Sequence, residues 1–317
     1  MDNKTQPMKI DLVSLWVNGN DPQWRAKHNT VVGETATKAP ETFKGRYADN
    51  DELKYSLRAV EMYAPWIRKI FIVTDNQIPQ WLDTTHPKIQ IVDHTEILPP
   101  QSLPCFNSNI IEHFLYRIPG LAEHFLYAND DMFLNRPVSP DIFYTTNGLP
   151  IIRLYRKYFR KAALFYRTNI LKKRLEHYIQ ALKNTSDIVQ KEYGCYFGSK
   201  PHHNIDAYLK SDYRNTAEVF KEYIKPTLTN HLRSDNDVQR VIYSYAALVK
   251  KQARLQYVNQ RTSFRFPIHK QELYQKLEEY NPTFFCMNDS QFANDDDRRK
   301  ATEFLSKRFP KKSQFEK

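Results

Sequence analysis

Apolar runs of strand length recur along the chain, each followed by turn-forming or acidic residues; they span 9–17, 69–74, 89–93, 125–128 and 284–288. Continuous runs, in place of strict alternation, are typical of strands covered on both faces. Helical spacing of apolar residues in 53–64 and 107–118 separates the strands. The strand–helix–strand–strand–helix–strand order predicts an α/β fold with a mainly parallel sheet flanked by helices.

The second half of the chain has weaker periodicity. Residues 151–183 hold ten Lys or Arg and one acid among aromatic residues, which predicts one or two basic amphipathic helices. Helical structure is also predicted around residues 206–209 and over 241–249. Residues 25–45 are polar and aperiodic, and we expect a loop there.

An Asn129-Asp130-Asp131 motif ends the fourth apolar run, and apolar residues resume directly after it. Adjacent carboxylates repel each other, and burying them is costly unless something neutralises their charge. Oxygen ligands at the carboxyl end of a central strand suit Mg²⁺ or Mn²⁺ carrying a substrate diphosphate. The alternative is an Asx-type turn that only closes the strand.

Further candidates lie near the first strand and helix. Trp16 and Asn18 follow the first strand, where open α/β sheets bind ligands. Asp11, inside that strand, needs a partner or a function. Arg46 and Arg58 are candidate phosphate clamps, with ordinary surface arginines as the alternative.

Composition narrows the chemistry. Gly is scarce, at 7 residues, and no Gly-rich phosphate loop is present, so metal and side chains must hold any phosphate. The net charge of +11 favours polyanionic partners, but no nucleic-acid-binding module accompanies it. Three dispersed cysteines favour a reducing compartment over a disulfide framework. Neither a signal peptide nor a bilayer-spanning run is evident, so we expect a soluble or peripheral protein.

Several ordered segments resemble the signature blocks of the Stealth proteins: IDLVSLWVNGNDPQW, DELKYSLRAVEMYAPWIRKIFIVTDNQIPQWL, the stretch from IVDHTEILPP to SPDIF, the PHHNID and HLRSDNDVQ pair, and FFCMNDS with FPKKSQFE. These blocks cover most of residues 9–143 and shorter parts of 195–316. The family contains bacterial capsular and exopolysaccharide hexose-1-phosphate transferases and the catalytic subunit of the lysosomal-enzyme GlcNAc-1-phosphotransferase.

The resemblance implies a GT-A-like, modified nucleotide-sugar-transferase fold. It implies transfer of hexose-1-phosphate, with N-acetylhexosamine-1-phosphate favoured, from a UDP-sugar to an acceptor hydroxyl, with release of UMP. It places the catalytic positions at Asp11, Glu112, Asp131, His203 and Arg233. His203 is chosen over His202 because it directly precedes Asn-Ile-Asp.

Roles follow from these positions. We expect Asp131, with Asp130 or Asp289, to hold Mg²⁺ or Mn²⁺, and Arg233 to stabilise charge on the transferred phosphoryl group. His203 or Glu112 takes the proton of the acceptor hydroxyl. The predicted substrate-binding residues are Trp16, Asn18, Arg46, Arg58 and Asn129.

The chain is expected to have three parts: a nucleotide-sugar-binding core over 1–150, a mainly helical basic segment over 151–250 carrying His203 and Arg233, and a C-terminal segment over 251–317 that packs on the core. The expected acceptor is a glycan or lipid-linked saccharide. We expect a bacterial cytoplasmic protein, seated through 151–183 on the anionic inner face of the membrane, with no nucleic-acid partner.

Two other functions remain open at this point. A conventional metal-dependent glycosyltransferase would use the same acidic strand end but release UDP. A non-catalytic protein would bind a polyanion or membrane through its basic residues, and its carboxylates would be structural.

Overall fold

The computed structural model describes residues 8–34 and 44–317. Its strands are β1 Ile10–Leu15, β2 Ile70–Thr74, β3 Ile89–Asp93, β4 His124–Asn129, β5 Met132–Leu134, β6 Ile151–Tyr155, β7 Lys200–Pro201, β8 Asp206–Leu209, β9 Arg254–Tyr257, β10 Ser263–Pro267 and β11 Phe284–Asn288. Its α-helices are α1 Pro22–Glu34, α2 Glu52–Tyr63, α3 His94–Ile97, α4 Ser108–Glu112, α5 Arg160–Phe165, α6 His177–Tyr193, α7 Lys210–Ile224, α8 Val241–Val249, α9 Glu272–Tyr280 and α10 Asp295–Arg308.

The central sheet has the strand order β3-β2-β1-β4-β8. Strands β1 to β4 are parallel, and β8 joins β4 in the antiparallel direction. The chain moves outward from β1 to β3 and then returns to place β4 on the other side of β1. Such a reversal leaves a crevice beyond the carboxyl ends of the two strands, where open α/β sheets bind ligands. The predicted mainly parallel α/β fold is confirmed.

Side chains of the central sheet alternate between two apolar cores. Leu12 and Leu126 pack on one face against α2 and the second sheet, whose order is β10-β11-β5. Val13 and Phe125 pack on the other face, in the core that includes residues of α4, α6, α7 and α8. Successive strand residues point to opposite faces, so a continuous apolar run is needed to fill both cores.

The second sheet carries the C-terminal segment back to the end of β4. Strand β11 pairs antiparallel with β5, with Cys286 opposite Met132. The backbone N–H of Met287 donates to the Asp131 carbonyl at 3.1 Å. The division into three parts stays a prediction, but this pairing places the C-terminal segment beside the end of β4.

Three local predictions were wrong. Residues 25–34, the start of the loop expected over 25–45, belong to α1, because Asp21 caps this helix and Trp24 and Val31 enter a small core with Phe106. The remainder of the expected loop, 35–43, lies outside the described residues.

The other two errors concern strands mistaken for helices. Residues 151–155 form β6, which pairs with β7 and β9 in a third sheet. Residues 206–209 form β8, which completes the edge of the central sheet. Pairing with a distant strand overrides local preference in such short segments. Among the helices of the described residues, none has the length and apolar character that crossing a bilayer requires.

Candidate active site

Three side chains meet beyond the carboxyl ends of β1 and β4. Asp131 follows β4, His203 precedes β8 and Cys286 lies in β11, and their potential ligand atoms are within 4.8 Å of one another. The Cys286 thiol donates a hydrogen bond to Asp131 Oδ2 at 3.3 Å. Asp131 Oδ1 is buried, yet within the described part of the chain it has no hydrogen-bond partner. A buried, unpaired carboxylate oxygen indicates a place for an ion, water or ligand.

His203 adopts an unusual backbone conformation next to this group. Its φ of +55° lies in the left-handed region, which is uncommon for residues other than glycine and clusters at functional sites. Burial, together with the charges of Arg265 and Arg240, lowers the pKa of His203 well below 6.5. The imidazole is therefore neutral at pH 7 and carries one nitrogen lone pair that can accept a proton or bind a metal.

His202 has a different environment, although it is adjacent in sequence. It is buried, and its two ring nitrogens lie 3.1 Å from Ser263 Oγ and 3.1 Å from Asp206 Oδ1. Both nitrogens are thus occupied by structural hydrogen bonds. The structure places His203, the residue chosen from the sequence, beside Asp131.

Four carboxyl groups crowd the strand end. Burial, then the neighbouring charges of Asp131, Glu52 and Asp49, raise the pKa of Asp130 well above its usual value. Burial also raises the pKa of Asp131, against the opposing effects of the Cys286 thiol and the Arg265 charge. The pKa of Glu52 rises to about 7, chiefly through burial. Raised pKa values of this kind are expected of buried carboxylates whose negative charge no cation neutralises.

Arg265 is a basic residue of this site that the sequence did not reveal. Its side chain is exposed, and its Nη2 donates to Asn288 Oδ1 at 2.7 Å. It is close enough to influence the pKa of Asp131, His203 and Cys286. An exposed guanidinium beside a neutral histidine suits recognition of phosphate, which it can bind through two parallel hydrogen bonds.

Glu112 belongs to a buried ionic network below the crevice. Arg240 donates from Nε to Glu112 Oε2 at 3.1 Å and from Nη1 to Asp206 Oδ2 at 2.9 Å. The Tyr127 hydroxyl lies 2.9 Å from Glu112 Oε1 and 2.6 Å from Asn129 Oδ1. Glu112 therefore connects to the crevice through Tyr127 and Asn129, and this arrangement favours a positioning role over contact with substrate.

Arg233 lies near this network. Its Nη2 donates to Ser108 Oγ at 3.2 Å, and its charge opposes the burial that raises the pKa of Glu112. Trp16 is buried just after β1, and Asn18 holds Gln77 through two hydrogen bonds of 3.0 Å. Arg46 follows Gly45 in a 3₁₀ turn, and the Gly45 backbone lies directly against the Asp289 carboxylate. Their predicted substrate roles remain untested.

Asp11 is not brought to the strand end. It lies in register with Phe125, four residues before Asn129, which corresponds to about 13 Å along β4. Arg68 binds both of its carboxylate oxygens, at 2.8 and 2.6 Å, and the Ala122 N–H donates to it at 2.7 Å. The geometry favours a structural role for Asp11 in place of the catalytic one implied by the resemblance.

Two other predicted residues are held in ion pairs. Arg58 binds Glu316 through two bonds of 2.8 and 2.7 Å and thereby fixes the C-terminal segment. Asp289 accepts two hydrogen bonds from Arg298, at 2.7 and 3.2 Å. Its negative charge is already neutralised, which weakens the expectation that it binds a metal.

The carboxylates at the end of β4 suit Mg²⁺ or Mn²⁺. Such an ion, carried by a substrate diphosphate, needs only one or two protein carboxylates. Asp131, with its unpaired Oδ1, and Asp130, whose pKa is raised by neighbouring acids, meet this requirement. These two residues fit a metal that arrives with the donor, whereas Asp289 is paired with Arg298.

Comparison with known proteins agrees with the sequence blocks. Residues 8–35 match the model of Stealth protein CR1, conserved region 1, and residues 46–152 match Stealth protein CR2, conserved region 2. The chain is 34% identical over 300 residues to the capsular polysaccharide phosphotransferase fcs1 of Haemophilus influenzae, covering 91% of this chain and 80% of that protein. It is 31% identical over 293 residues to the capsular polysaccharide phosphotransferase LcbA of Neisseria meningitidis, covering 89% of this chain and 78% of that protein.

These similarities identify a family: the chain belongs to the Stealth proteins. Among solved structures, it aligns with the galactosyltransferase LgtC in complex with donor and acceptor sugar analogs. That alignment has a TM-score of 0.44 and 11% identity and covers 94% of this chain and 95% of LgtC.

Proposed function

We propose that this protein transfers sugar-1-phosphate, with N-acetylhexosamine-1-phosphate favoured, from a UDP-sugar to a hydroxyl of a glycan or lipid-linked saccharide. The reaction forms a phosphodiester and releases UMP. The observation that carries the proposal is the neutral His203 beside Asp131 at the crevice of the sheet, with the Arg265 charge close enough to affect the pKa of both. The capsular polysaccharide phosphotransferases among its relatives support the same reaction class.

The proposed step is an in-line displacement at phosphorus. The acceptor oxygen attacks the phosphorus that bears the sugar, and the bond from this phosphorus to the bridging oxygen breaks. The bridging oxygen leaves with UMP, and the proton of the acceptor hydroxyl passes to the free ring nitrogen of His203. General-base catalysis of this kind contributes roughly 10²–10⁴-fold to a rate.

Charge neutralisation is the other requirement of phosphoryl transfer. Arg265 is proposed to bind the phosphoryl oxygens, and Arg233 to bind the diphosphate. Asp131 and Asp130 would hold Mg²⁺ or Mn²⁺ brought by the donor; when bound, the ion would offset the diphosphate charge. Glu112, through Tyr127 and Asn129, would keep this edge of the site in position.

The test is incubation with a panel of UDP-sugars, Mg²⁺ and a saccharide acceptor, followed by identification of the nucleotide. UMP is expected, and Asp131→Asn and His203→Gln are expected to lower its release at least about 100-fold. Asp235→Asn changes an exposed carboxylate and serves as the matched control. Release of UDP would indicate the conventional glycosyltransferase, and no consumption of any UDP-sugar would favour a non-catalytic binding protein.

We also propose that the protein works in the bacterial cytoplasm at the inner membrane face, through a basic-aromatic surface formed by residues 156–174. This surface exposes the large apolar side chains Tyr158, Phe159, Phe165, Tyr166, Ile170 and Leu171. Exposed lysines and arginines lie among them. Aromatic insertion combined with basic charge is typical of attachment to anionic lipid.

Only exposed side chains of this membrane surface are suitable for substitution. Arg160 is buried and donates to the Gly198 carbonyl, so its replacement would disturb the fold. Phe159→Ser with Lys172→Gln and Lys173→Gln changes only exposed side chains. The triple variant should lose sedimentation with vesicles containing phosphatidylserine, while releasing UMP from the UDP-sugar at the wild-type rate when a soluble acceptor is supplied. Unchanged sedimentation at low salt would contradict the proposal.

A further inference from the structure

The group Asp131, His203 and Cys286 has a chemical character that the proposed reaction does not use. Mg²⁺ binds oxygen ligands almost exclusively, whereas this group combines one carboxylate, one imidazole and one thiol. A mixed oxygen, nitrogen and sulfur donor set suits borderline ions such as Zn²⁺ or Co²⁺. The thiol is the distinguishing ligand, because no step of phosphoryl transfer calls for sulfur at this position.

We propose that Asp131, His203 and Cys286 form a binding site for a thiophilic divalent cation of the Zn²⁺ class when the sugar donor is absent. Three protein ligands leave a fourth position of a tetrahedral ion open for water. The site shares Asp131 with the Mg²⁺ or Mn²⁺ proposed above, so the two metals would compete. The binding claim is independent of the proposed function; only its effect on turnover rests on that function.

The geometry supports the proposal. Tetrahedral Zn²⁺, with bonds of roughly 2.0–2.3 Å, needs ligand atoms about 3.3–3.8 Å apart. The three candidate atoms already lie within 4.8 Å of one another, and the Cys286 Sγ to Asp131 Oδ2 distance is 3.3 Å. Small side-chain rotations of Asp131 and His203 would close the remaining gap.

Two of the ligand groups also have unused binding capacity. Asp131 Oδ1 is buried without a hydrogen bond from the described residues. Over residues 8–34 and 44–317, neither ring nitrogen of His203 takes part in a hydrogen bond, and its ring packs edge-on against Tyr178 at 6.0 Å. Cys286 is completely buried, but Asp131 and His203 are partly exposed and provide a path of entry for the ion. Asp131 Oδ1 and the His203 ring nitrogens are therefore available to bind an ion, and the Cys286 thiol is already bonded to Asp131.

The functional consequence is inhibition. A neutral imidazole has one lone pair, and a nitrogen bound to Zn²⁺ cannot accept the proton of the acceptor hydroxyl. The charge of Arg265, which influences Asp131 and His203, would be repelled by the added positive charge. Zn²⁺ is therefore expected to block turnover reversibly, and excess donor with Mg²⁺ should compete with it.

The experiment uses Co²⁺ as a spectroscopic probe of the full-length protein without any donor. Bonding of Co²⁺ to a thiolate produces an intense near-ultraviolet charge-transfer absorption that carboxylate and imidazole ligands do not produce. Wild-type protein and Cys195→Ser, which changes an exposed free cysteine, should both show this band. Cys286→Ser should lose it, and Asp131→Asn should weaken Co²⁺ affinity at least about tenfold.

The Co²⁺ experiment and the UMP-release assay can fail independently, so they test the metal site and the proposed function separately. A band that is absent from wild-type protein, or that persists in Cys286→Ser, would overturn the metal site whatever the enzyme's products are. Circular dichroism of each variant confirms that it is folded, and Asp131→Asn, which keeps the thiol, provides a second independent test. In the turnover assay, Zn²⁺ should inhibit the wild type more strongly than Cys286→Ser, and EDTA followed by Mg²⁺ should restore activity.

Discussion

The buried network around Arg240 allows the most quantitative prediction. This guanidinium lies between the carboxylates of Glu112 and Asp206 and stacks 3.9 Å from the Tyr127 ring centroid. Arg240→Met keeps a similar apolar stem but leaves two buried carboxylates without their cation. Removing one partner of a buried ion pair costs about 3–5 kcal/mol, because the remaining charge is uncompensated. We expect a loss of that size in the free energy of unfolding at pH 7.5.

The loss should depend on pH in a defined direction. In the wild type, burial alone would raise the pKa of Asp206, but Arg240 and His202 outweigh burial and lower the pKa to about 2. Asp206 thus contributes stability above pH 3.8, which is lost as the pH falls toward 2. Without Arg240, burial prevails at Asp206, whose folded-state pKa rises above its unfolded value, and the pKa of Glu112, already raised in the wild type, rises further. Protonation of these carboxyl groups then removes the uncompensated buried charge. The variant's loss in free energy of unfolding, relative to wild type, should therefore shrink as the pH falls.

The assay is urea unfolding followed by tryptophan fluorescence at pH 7.5 and pH 5.5. Arg214→Met, which changes an exposed arginine on α7, is the matched control and should stay within about 0.5 kcal/mol of wild type. A deficit below about 1 kcal/mol for Arg240→Met, or one of equal size at both pH values, would refute the reasoning about buried charge.

Three further predictions follow from individual contacts. Arg58→Met and Glu316→Gln should destabilise the protein to a similar extent and leave the KM for the donor unchanged; a rise in KM confined to the Arg58 variant would instead support a substrate role. The rate at low substrate should not show an inflection at pH 6.5, because the pKa of His203 lies well below that value; an inflection there in wild-type protein would contradict a neutral base. Because the pKa of Glu52 is raised from 4.5 to about 7, the folded state retains its proton, and stability should fall as pH rises through that window. Glu52→Gln should remove the loss of stability that Glu52 causes between pH 4.5 and about 7, and the variant should be more stable than wild type in urea at pH 8. Equal or lower stability of the variant at pH 8 would argue against the raised pKa.

The central strands could be predicted because both of their faces are buried. A strand such as β2, with every residue buried, needs an uninterrupted apolar run, and that run is visible in the sequence. Strand β8 gave no such signal, because it forms only by pairing with β4 from a distant part of the chain. Helix α1 was missed because few of its residues are apolar.

The same distinction applies to the site. The sequence indicated Asp131, because two acids at a strand end are costly without a partner, and the resemblance indicated His203; the structure brings the two together, and their roles stay predictions. Cys286 and Arg265 were not indicated, because only the pairing of β11 with β5 and β10 brings them to Asp131. The predicted roles of Asp11 and Arg58 stay predictions, and the structure adds what the sequence could not give: the ion pairs of these residues with Arg68 and Glu316.

The most direct test of the proposed reaction follows the phosphorus atom that bears the sugar. A UDP-sugar labelled at this β-phosphorus is incubated with the protein, Mg²⁺ and a saccharide acceptor, and the products are separated. The proposed phosphotransfer predicts that the label appears in the acceptor product, joined through a phosphodiester, while the released UMP is unlabelled. Label recovered only in UDP, with the sugar joined directly to the acceptor, would contradict it.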